Sequence, residues 1–572
     1  MKKALSVILI LCLFASCAST SPSVSPGDGE LLPSPPPSEA PPPSEEPLEI
    51  IDLGEYDLMG GIHIDQLGYR PGDPKRAVIP EEESAFIIAR VSDGAVLYKG
   101  TPSEPKISLA ALETVRVADF SGFGEPGEYI LCAGEGRSYP FLIAENPYGG
   151  LRKATLDFFH YQKCGVDLDA GPWSHPACHA APAFVLDAEG EKTGEEKEVS
   201  GGWHDAGDYG RYIVPAAQTV AQLLLAYEMA PNPDPEVLDA VWFELEWMLK
   251  MQDEATGGVH HKVSCKNFNA LDQMPQNERG ELVLTPVSAT ATADFAAAMA
   301  MASRFYPGYE EILMDAARAA WRWCLDHPDA PGFRNPRGVS TGEYGDGNSA
   351  DERFWAACEL FAATGEEAFH DYIKAGDLHT GLGWNNMGTY GLVAYLLHAG
   401  DRADADLTAG MKSRLQNACR EILDRYRADP YGISLGENYY WGSNMAVGNN
   451  AMTLILGHLL LDDAPGYTEA ALDHMHYLMG VNALSQGYIS GFGSKAMENP
   501  HHRPSVAVGQ TVPGMVAGGP NGNTNNDPTL KKFCEGLPPM KCYIDHIDSY
   551  ASNEITIYWN SPVYFVLALL DL

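Results

Sequence analysis

Two aspartates three positions apart, Asp205 and Asp208, lie in the stretch Gly201-Gly202-Trp203-His204-Asp205-Ala206-Gly207-Asp208-Tyr209-Gly210-Arg211. The four glycines let this loop take positive φ and approach a ligand closely. A helix-like segment follows at Pro215, and a loop feeding a helix is a common place for working groups. Alone, Asp-x-x-Asp is also an ordinary turn with solvated carboxylates. A third carboxylate, Glu554, sits in Tyr543-Ile544-Asp545-His546-Ile547-Asp548-Ser549-Tyr550-Ala551-Ser552-Asn553-Glu554-Ile555-Thr556-Ile557-Tyr558-Trp559-Asn560-Ser561, where the last helix is expected to begin. A helix N-terminus stabilises an acid by its dipole. Here Tyr550, Ile555, Ile557, Tyr558 and Trp559 add apolar surroundings, which raise a carboxyl's proton affinity as a general acid requires. In Gly493-Ser494-Lys495-Ala496-Met497-Glu498-Asn499-Pro500-His501-His502-Arg503, His501 and Arg503 can donate hydrogen bonds to sugar hydroxyls or steady a carboxylate; a surface or metal-binding histidine pair is the competing reading.

Two further sets could hold metal. Cys164, Cys178, His179 and His204 offer two thiolates and two imidazoles, enough for tetrahedral zinc, although a Cys164–Cys178 disulfide fits the spacing equally. Asp346-Gly347-Asn348-Ser349-Ala350-Asp351-Glu352 offers carboxylates and loop carbonyls suited to calcium, or simply a capped helix start. Gly519–Asp527 is a weaker loop of the same kind. Cys534 and Cys542 flank a short loop with Pro538 and Pro539, and a disulfide is expected there.

These residues need a scaffold, and twelve segments carry helical periodicity: 149–163, 215–230, 235–251, 288–305, 309–325, 351–363, 366–376, 388–398, 407–427, 445–461, 464–479 and 552–570. The loops between them, notably 164–211, 253–287, 326–350, 428–444 and 480–551, are long and rich in Gly, Asn, Trp and Tyr, as functional loops are. Six helical hairpins closed into an α/α toroid would gather them at one mouth. Ahead of the helices, residues 58–144 alternate short apolar runs with Gly, Pro and Asp, predicting a β-sandwich of about seven strands.

The chain has 572 residues with a formal net charge of -39, which argues against nucleic acid and anionic membrane surfaces as partners. Met-Lys-Lys and the apolar run from Ala4 to Ala15 read as an export signal, and Leu13-Phe14-Ala15-Ser16-Cys17 resembles a bacterial lipobox whose Cys17 would carry lipid. Residues 18–48, rich in Ser, Pro and Glu, suit an extended tether. The sequence thus predicts an extracytoplasmic, lipid-anchored protein that meets the membrane only through that anchor.

Taken together, the stretches 201–211, 493–503 and 543–561 resemble the three hallmark motifs of glycoside hydrolase family nine, and His63–Tyr69 with Gly127–Tyr129 resemble the immunoglobulin-like module that precedes some of its catalytic domains. The match runs through Gly493, Lys495, Pro500, His501 and Arg503, then through Tyr543, Asp545, Tyr550, Glu554, Thr556, Asn560 and Ser561. After the lipoprotein signal 1–17 and linker 18–57 read from the N-terminal residues, the resemblance implies a multidomain chain: immunoglobulin-like β-sandwich 58–145 and all-α (α/α)6 barrel 146–572. It implies an inverting β-1,4-glucan hydrolase acting as a monomer, with Glu554 as general acid, Asp208 as general base and Asp205 helping to hold the water. His501, Arg503 and Tyr550 would bind the sugar on the non-reducing side. Tyr439-Tyr440-Trp441-Gly442-Ser443-Asn444 resembles a family segment presenting rings to glucose; Trp441 is the foremost platform, with Trp203, Trp355 and Trp384 as further candidates. The resemblance also implies structural zinc at Cys164, Cys178, His179 and His204, and calcium at Asp351 and Glu352. An endo-acting cellulase is the expected activity; an exo-acting cellodextrinase or glucosaminidase, or a non-catalytic glycan-binding lipoprotein, are the alternatives.

Overall fold

A computed structural model describes residues 48–58 and 60–570. The export signal, Cys17 and most of the expected linker lie outside these residues. No helix among the described residues is long and apolar enough to cross a membrane.

The first part is all β, as the apolar runs predict, with nine strands where about seven are expected: β1 (Gly68–Tyr69), β2 (Arg76–Pro80), β3 (Phe86–Arg90), β4 (Val96–Gly100), β5 (Lys106–Ser108), β6 (Glu113–Asp119), β7 (Gly127–Ala133), β8 (Gly136–Arg137) and β9 (Phe141–Ile143). One sheet runs β1-β9-β7-β3-β4, with β8 on β7; the other runs β2-β6-β5. Period-2 alternation gives β7 two buried faces. Tyr129, Leu131 and Ala133 join a core with Ile79, Ile88, Phe120 and Phe141, while Ile130 and Cys132 pack with Ala89, Ile51 and Tyr56. This β region is bonded to the helical part: Arg76 reaches Asp473 and the Tyr426 hydroxyl, each at 2.8 Å, and buried Asp65 accepts from Tyr148 at 2.6 Å and lies 2.7 Å from His476.

Twelve helices of nine or more residues follow among the described residues: α1 (Gly149–Tyr161), α2 (Ile213–Met229), α3 (Glu236–Met251), α4 (Ala289–Ala302), α5 (Glu310–Asp326), α6 (Ala350–Thr364), α7 (Glu367–Ala375), α8 (Gly388–His398), α9 (Ala405–Ala428), α10 (Ser443–Leu460), α11 (Tyr467–Leu478) and α12 (Ile557–Leu569). Each matches one of the segments with helical periodicity. Odd and even helices differ in how they meet solvent. α9 buries Met411, Leu415, Cys419, Ile422 and Leu423, one stripe on an otherwise polar helix. α4 and α12, by contrast, are buried along their whole length, and α2 nearly so. The even helices pack on each other, α2 on α4, α4 on α6, α6 on α8, and α10 on α12, which returns to α2. Gln222 of α2 ties several of them together: it donates to Tyr390 of α8 at 2.8 Å and to Asn449 of α10 at 3.0 Å, and accepts from Ser561 of α12 at 2.5 Å.

Connections from even to odd helices are short, whereas those from odd to even are long and carry the sequence motifs. Within them lies a third sheet that the helical pattern did not reveal: β10 (Ala183–Leu186), β11 (Lys192–Lys197), β12 (Arg211–Tyr212), β13 (Lys262–Cys265) and β14 (Leu282–Leu284), ordered β11-β10-β14-β13-β12. Its strands have two to six residues, too short for periodicity to register. Cys534 and Cys542, expected as a disulfide, are separate buried thiols bonded to backbone carbonyls.

Candidate active site

The 201–211 loop is held on both sides by backbone. The Asp205 carbonyl accepts from the Ile557 amide at 2.8 Å, and its amide donates to Gly210 at 2.9 Å. Ala206 bridges Thr556, and His501 bridges Glu554. Three stretches far apart in sequence therefore form one patch of irregular sheet. Glu554 is accordingly extended, between a short helix at Tyr550–Asn553 and α12, and not in a first helical turn as expected. Its carbonyl accepts from Gly518 at 2.9 Å, so the strand pairing outcompetes the helix there.

Asp205 and Asp208 are both buried. The Tyr344 hydroxyl donates to Asp205 Oδ2 at 2.5 Å, and Oδ1 has no protein partner. Burial pushes the Asp205 carboxyl well above the usual carboxylate range, and the Asp208 charge adds to this, while Tyr344 opposes it. Asp208 Oδ2 accepts from the Gly210 amide at 3.1 Å and from the Tyr212 hydroxyl at 3.4 Å. Burial raises Asp208 too, with Arg503 and Lys262 opposing. Glu554 is partly exposed. Desolvation of its carboxyl and the charges of Asp208 and Asp205 push it well above its ordinary range, against the pull of Arg503 and the Trp441 indole. Two acids near one another that strongly favour protons, with a third that less so, can divide the roles of proton donor and acceptor.

The 493–503 stretch supplies the neighbours. Asp545 accepts from the Glu498 and Asn499 amides, both at 2.8 Å, and from Asn553 Nδ2 at 2.9 Å, which fixes the turn ahead of His501. His501 Nδ1 lies 2.6 Å from the Ile547 carbonyl, so this nitrogen carries the proton; burial favours the neutral ring. Nε2 is then an acceptor. Arg503 donates to the Gly207 carbonyl at 2.7 Å and to the Asn269 carbonyl at 3.1 Å. Trp441 is 41 % exposed, with its ring centroid 5.4 Å from that of Tyr550, which in turn sits 5.8 Å from His501. Of the other rings proposed as platforms, Trp384 remains partly exposed and edges onto Tyr344. Trp203, Trp355 and Tyr439 are buried: Trp203 packs on Phe159, and Trp355 on Tyr390. Composition alone does not separate a core indole from a platform.

Several residues here carry no motif signal. Tyr344, Tyr212 and Lys262 come from the loops and small sheet, and Gln162 donates to the His204 and Ala206 carbonyls at 2.9 and 3.1 Å. The long loops 253–287 and 326–350 hinted at Lys262 and Tyr344, whereas nothing in the sequence singled out Tyr212 or Gln162.

Cys164, Cys178, His179 and His204 converge, with all four donor atoms within 4.8 Å of one another. The sulfurs are 3.7 Å apart, far from the roughly 2.05 Å of a disulfide. Cys164 Sγ is 3.6 Å from His179 Nδ1, and Cys178 Sγ is 3.6 Å from His204 Nε2. Such spacings suit a tetrahedral ion with bonds of about 2.0–2.3 Å. His179 Nε2 meets Glu278 at 2.7 Å, the outer carboxylate that orients a ligating imidazole. Asp351 and Glu352 are buried as well. Asp351 Oδ2 accepts from the Met387 amide at 2.6 Å, at the start of α8. Both oxygens of Glu352 and both of Asp294, on α4, are buried without a protein partner. Burial pushes both carboxyls well above their ordinary range, with Asp351 and Asp346 adding to the effect on Asp294, and Asp294 and Asp351 to that on Glu352.

Comparison with known proteins finds relatives over most of the chain. The profile of glycosyl hydrolase family 9 matches residues 148–567, and that of the cellulase N-terminal ig-like domain matches 59–138. A cellodextrinase of Butyrivibrio fibrisolvens is 35% identical over 559 residues, covering 89% of this chain and 99% of the relative. A crystal structure of a thermostable endoglucanase single mutant from Alicyclobacillus acidocaldarius superposes with a TM-score of 0.84 at 38% identity, covering 89% of this chain and 99% of that one. The Zn-binding triple mutant of the family 9 endoglucanase J30 superposes at 0.82 with 32% identity, covering 87% and 99%.

Proposed function

The chain belongs to glycosyl hydrolase family 9, and from that premise we propose that it hydrolyses β-1,4-glucosidic bonds in cellulose or related β-glucans with inversion, cutting within the polymer as an endo-β-1,4-glucanase. The observation that carries this reading is the backbone pairing of the Asp205–Asp208 loop with the Glu554 strand, which brings carboxyls of unequal proton affinity to one patch. Glu554 protonates the glycosidic oxygen, and Asp208 takes a proton from the attacking water, which Asp205 and Tyr344 hold in place. Inversion requires about 6.5–9.5 Å between acid and base so that water fits beside the sugar. Neutral His501 accepts from a sugar hydroxyl, Arg503 and Tyr550 line the same subsite, and Trp441 stacks on a glucose face. NMR of the first product tests the mechanism: α-anomer is expected, and initial β-anomer refutes it. Similarity to a cellodextrinase favours exo action as the second reading. A steep viscosity fall of carboxymethylcellulose per reducing end released separates endo from exo.

The same reading assigns a signal at 1–17 with lipid on Cys17, a linker from 18, an immunoglobulin-like sandwich to 145 that takes in the end of the expected 18–57 linker, since Ile51, Leu53 and Tyr56 pack on its strands, and an (α/α)6 barrel 146–572 with even helices inside and odd helices outside, the whole acting as an extracytoplasmic monomer. Zinc held by Cys164, Cys178, His179 and His204 would stiffen the base loop through His204, which adjoins Asp205. Calcium is the reading for Asp351 and Glu352, with Asp294 as a third carboxylate; its support is the four buried oxygens without partners. Calorimetric titration of chelator-treated protein with calcium tests this, and loss of the heat signal in Asp294→Asn is expected.

A further inference from the structure

Lys262 is completely buried on β13. Its ammonium donates to the Thr341 carbonyl at 3.2 Å, the Thr341 hydroxyl at 3.0 Å and the Gly342 carbonyl at 2.5 Å. None of these acceptors carries a charge, and an ammonium buried without a counter-ion is costly. The compensating negative charges are close but not in contact: Asp208 first, then Glu343, both raise its proton affinity, while burial lowers its pKa to about 7. The pairing of β12 with β13 sets this geometry, since Tyr212 lies directly opposite Lys262. The ammonium is 5.4 Å from the Tyr212 ring centroid, and the Tyr212 hydroxyl donates to Asp208. The carbonyls it grips directly precede Glu343 and Tyr344, the latter bonded to Asp205.

We propose that Lys262 is a positioning residue for the general base, its positive charge keeping the buried Asp208 carboxylate ionised and ready to accept the proton of water. This rests on the assignment of Asp208 as base. The remaining groups around the pair define what else acts there. Arg503 and the Gly210 amide also favour the Asp208 carboxylate, and Glu278 opposes it. His261, beside Lys262, is held neutral by burial, with its nitrogens on Ser288 and the Glu343 carbonyl. Lys262 is charged below about pH 7, the range in which a carboxylate base titrates, so its effect falls on the acid limb of the rate profile.

The test is kcat/KM against pH for cellotetraose hydrolysis by the full-length protein and by Lys262→Met, Lys262→Gln, Lys262→Arg and Asp208→Asn, with Tm measured for each. Gln retains a donor to the Thr341 and Gly342 carbonyls without the charge, and serves where Met prevents folding. Met and Gln are expected to move the acid limb up by about 0.5–1 pH unit, a loss of about 3- to 10-fold below the limb, while Arg leaves it in place. An unmoved limb in Met and Gln overturns the proposal, as does an equal shift in Arg, which would trace the effect to shape. An active Asp208→Asn would instead bring down the base assignment, and the proposal with it.

Discussion

Gly207 measures how tightly the loop carrying Asp205 and Asp208 is pressed against the 501–503 segment. A Cβ built there would lie 1.9 Å from the His501 carbonyl oxygen, 2.9 Å from its carbon and 3.4 Å from the His502 Cα. Carbon–oxygen contacts normally stay beyond about 3.3 Å, so Gly207→Ala must part the segments by about 1.4 Å. Every atom it meets is backbone, so no rotamer change relieves the clash. Gly207 has no left-handed φ, which leaves sterics as the whole cause. The separation breaks the bonds from the Arg503 amide and guanidinium to the Gly207 carbonyl, now 3.2 and 2.7 Å. It also shifts Asp205 and Asp208 relative to Glu554. A misplacement of about 1 Å in a catalytic constellation can cost about 100-fold in rate, or about 2.7 kcal/mol of barrier. Overpacking adds about 1–3 kcal/mol of destabilisation. The assay is kcat on cellotetraose with Tm by calorimetry, and Gly72→Ala is the control, since its Cβ would meet nothing within 4 Å. A kcat for Gly207→Ala within threefold of wild type would refute the argument that this close approach sets the acid–base geometry.

The pH profile of kcat/KM should be a bell. Its acid limb lies above the usual aspartate range because burial raises Asp208, whose protonation removes the base. Its basic limb lies well above the usual glutamate range because burial and two nearby carboxylates raise Glu554, whose ionisation removes the acid; Glu554→Gln should lose about 100- to 10,000-fold in rate and that limb entirely. Trp441→Ala should raise KM for cellotetraose about 3- to 10-fold, as expected for one exposed stacking ring, and an unchanged KM would remove it from the groove. Cys178→Ser should abolish stoichiometric zinc by elemental analysis and lower Tm by about 5 °C or more, whereas Cys358→Ser, buried elsewhere, should keep the metal.

The sequence made legible what rests on periodicity and on local motifs. All twelve long helices could be read, because each buries a stripe or its whole surface over at least nine residues. The Cys and His cluster was visible as four donors of two types, the last of them, His204, beside Asp205. What stayed hidden depends on long-range pairing. Glu554 looked like a helix N-terminal acid, since nothing local shows that Ala206 and His501 will draw its strand out of the helix. Tyr344 and Lys262 stand in no recognisable spacing with Asp205 and Asp208; only the fold of the 327–349 loop and the β12–β13 pair brings them there. Trp441 was the foremost platform and Trp203 a further candidate, and burial removes Trp203 while leaving Trp441 exposed. Asp294 sits within an alanine-rich helix whose pattern says core, yet it places a buried carboxyl without a protein partner there.

The backbone bonds from the 201–211 loop to the start of α12 also have a kinetic consequence. Asp205 binds the Ile557 amide, and α2 packs on α12, so the proposed acid and base meet only after helices from opposite ends of the catalytic part have docked. Contacts of such high separation form late because the intervening chain must first be ordered. A refolding enzyme should therefore regain helical circular dichroism before it regains hydrolysis. The lag between the two signals times that final docking, making catalytic activity a clock for the completion of the fold.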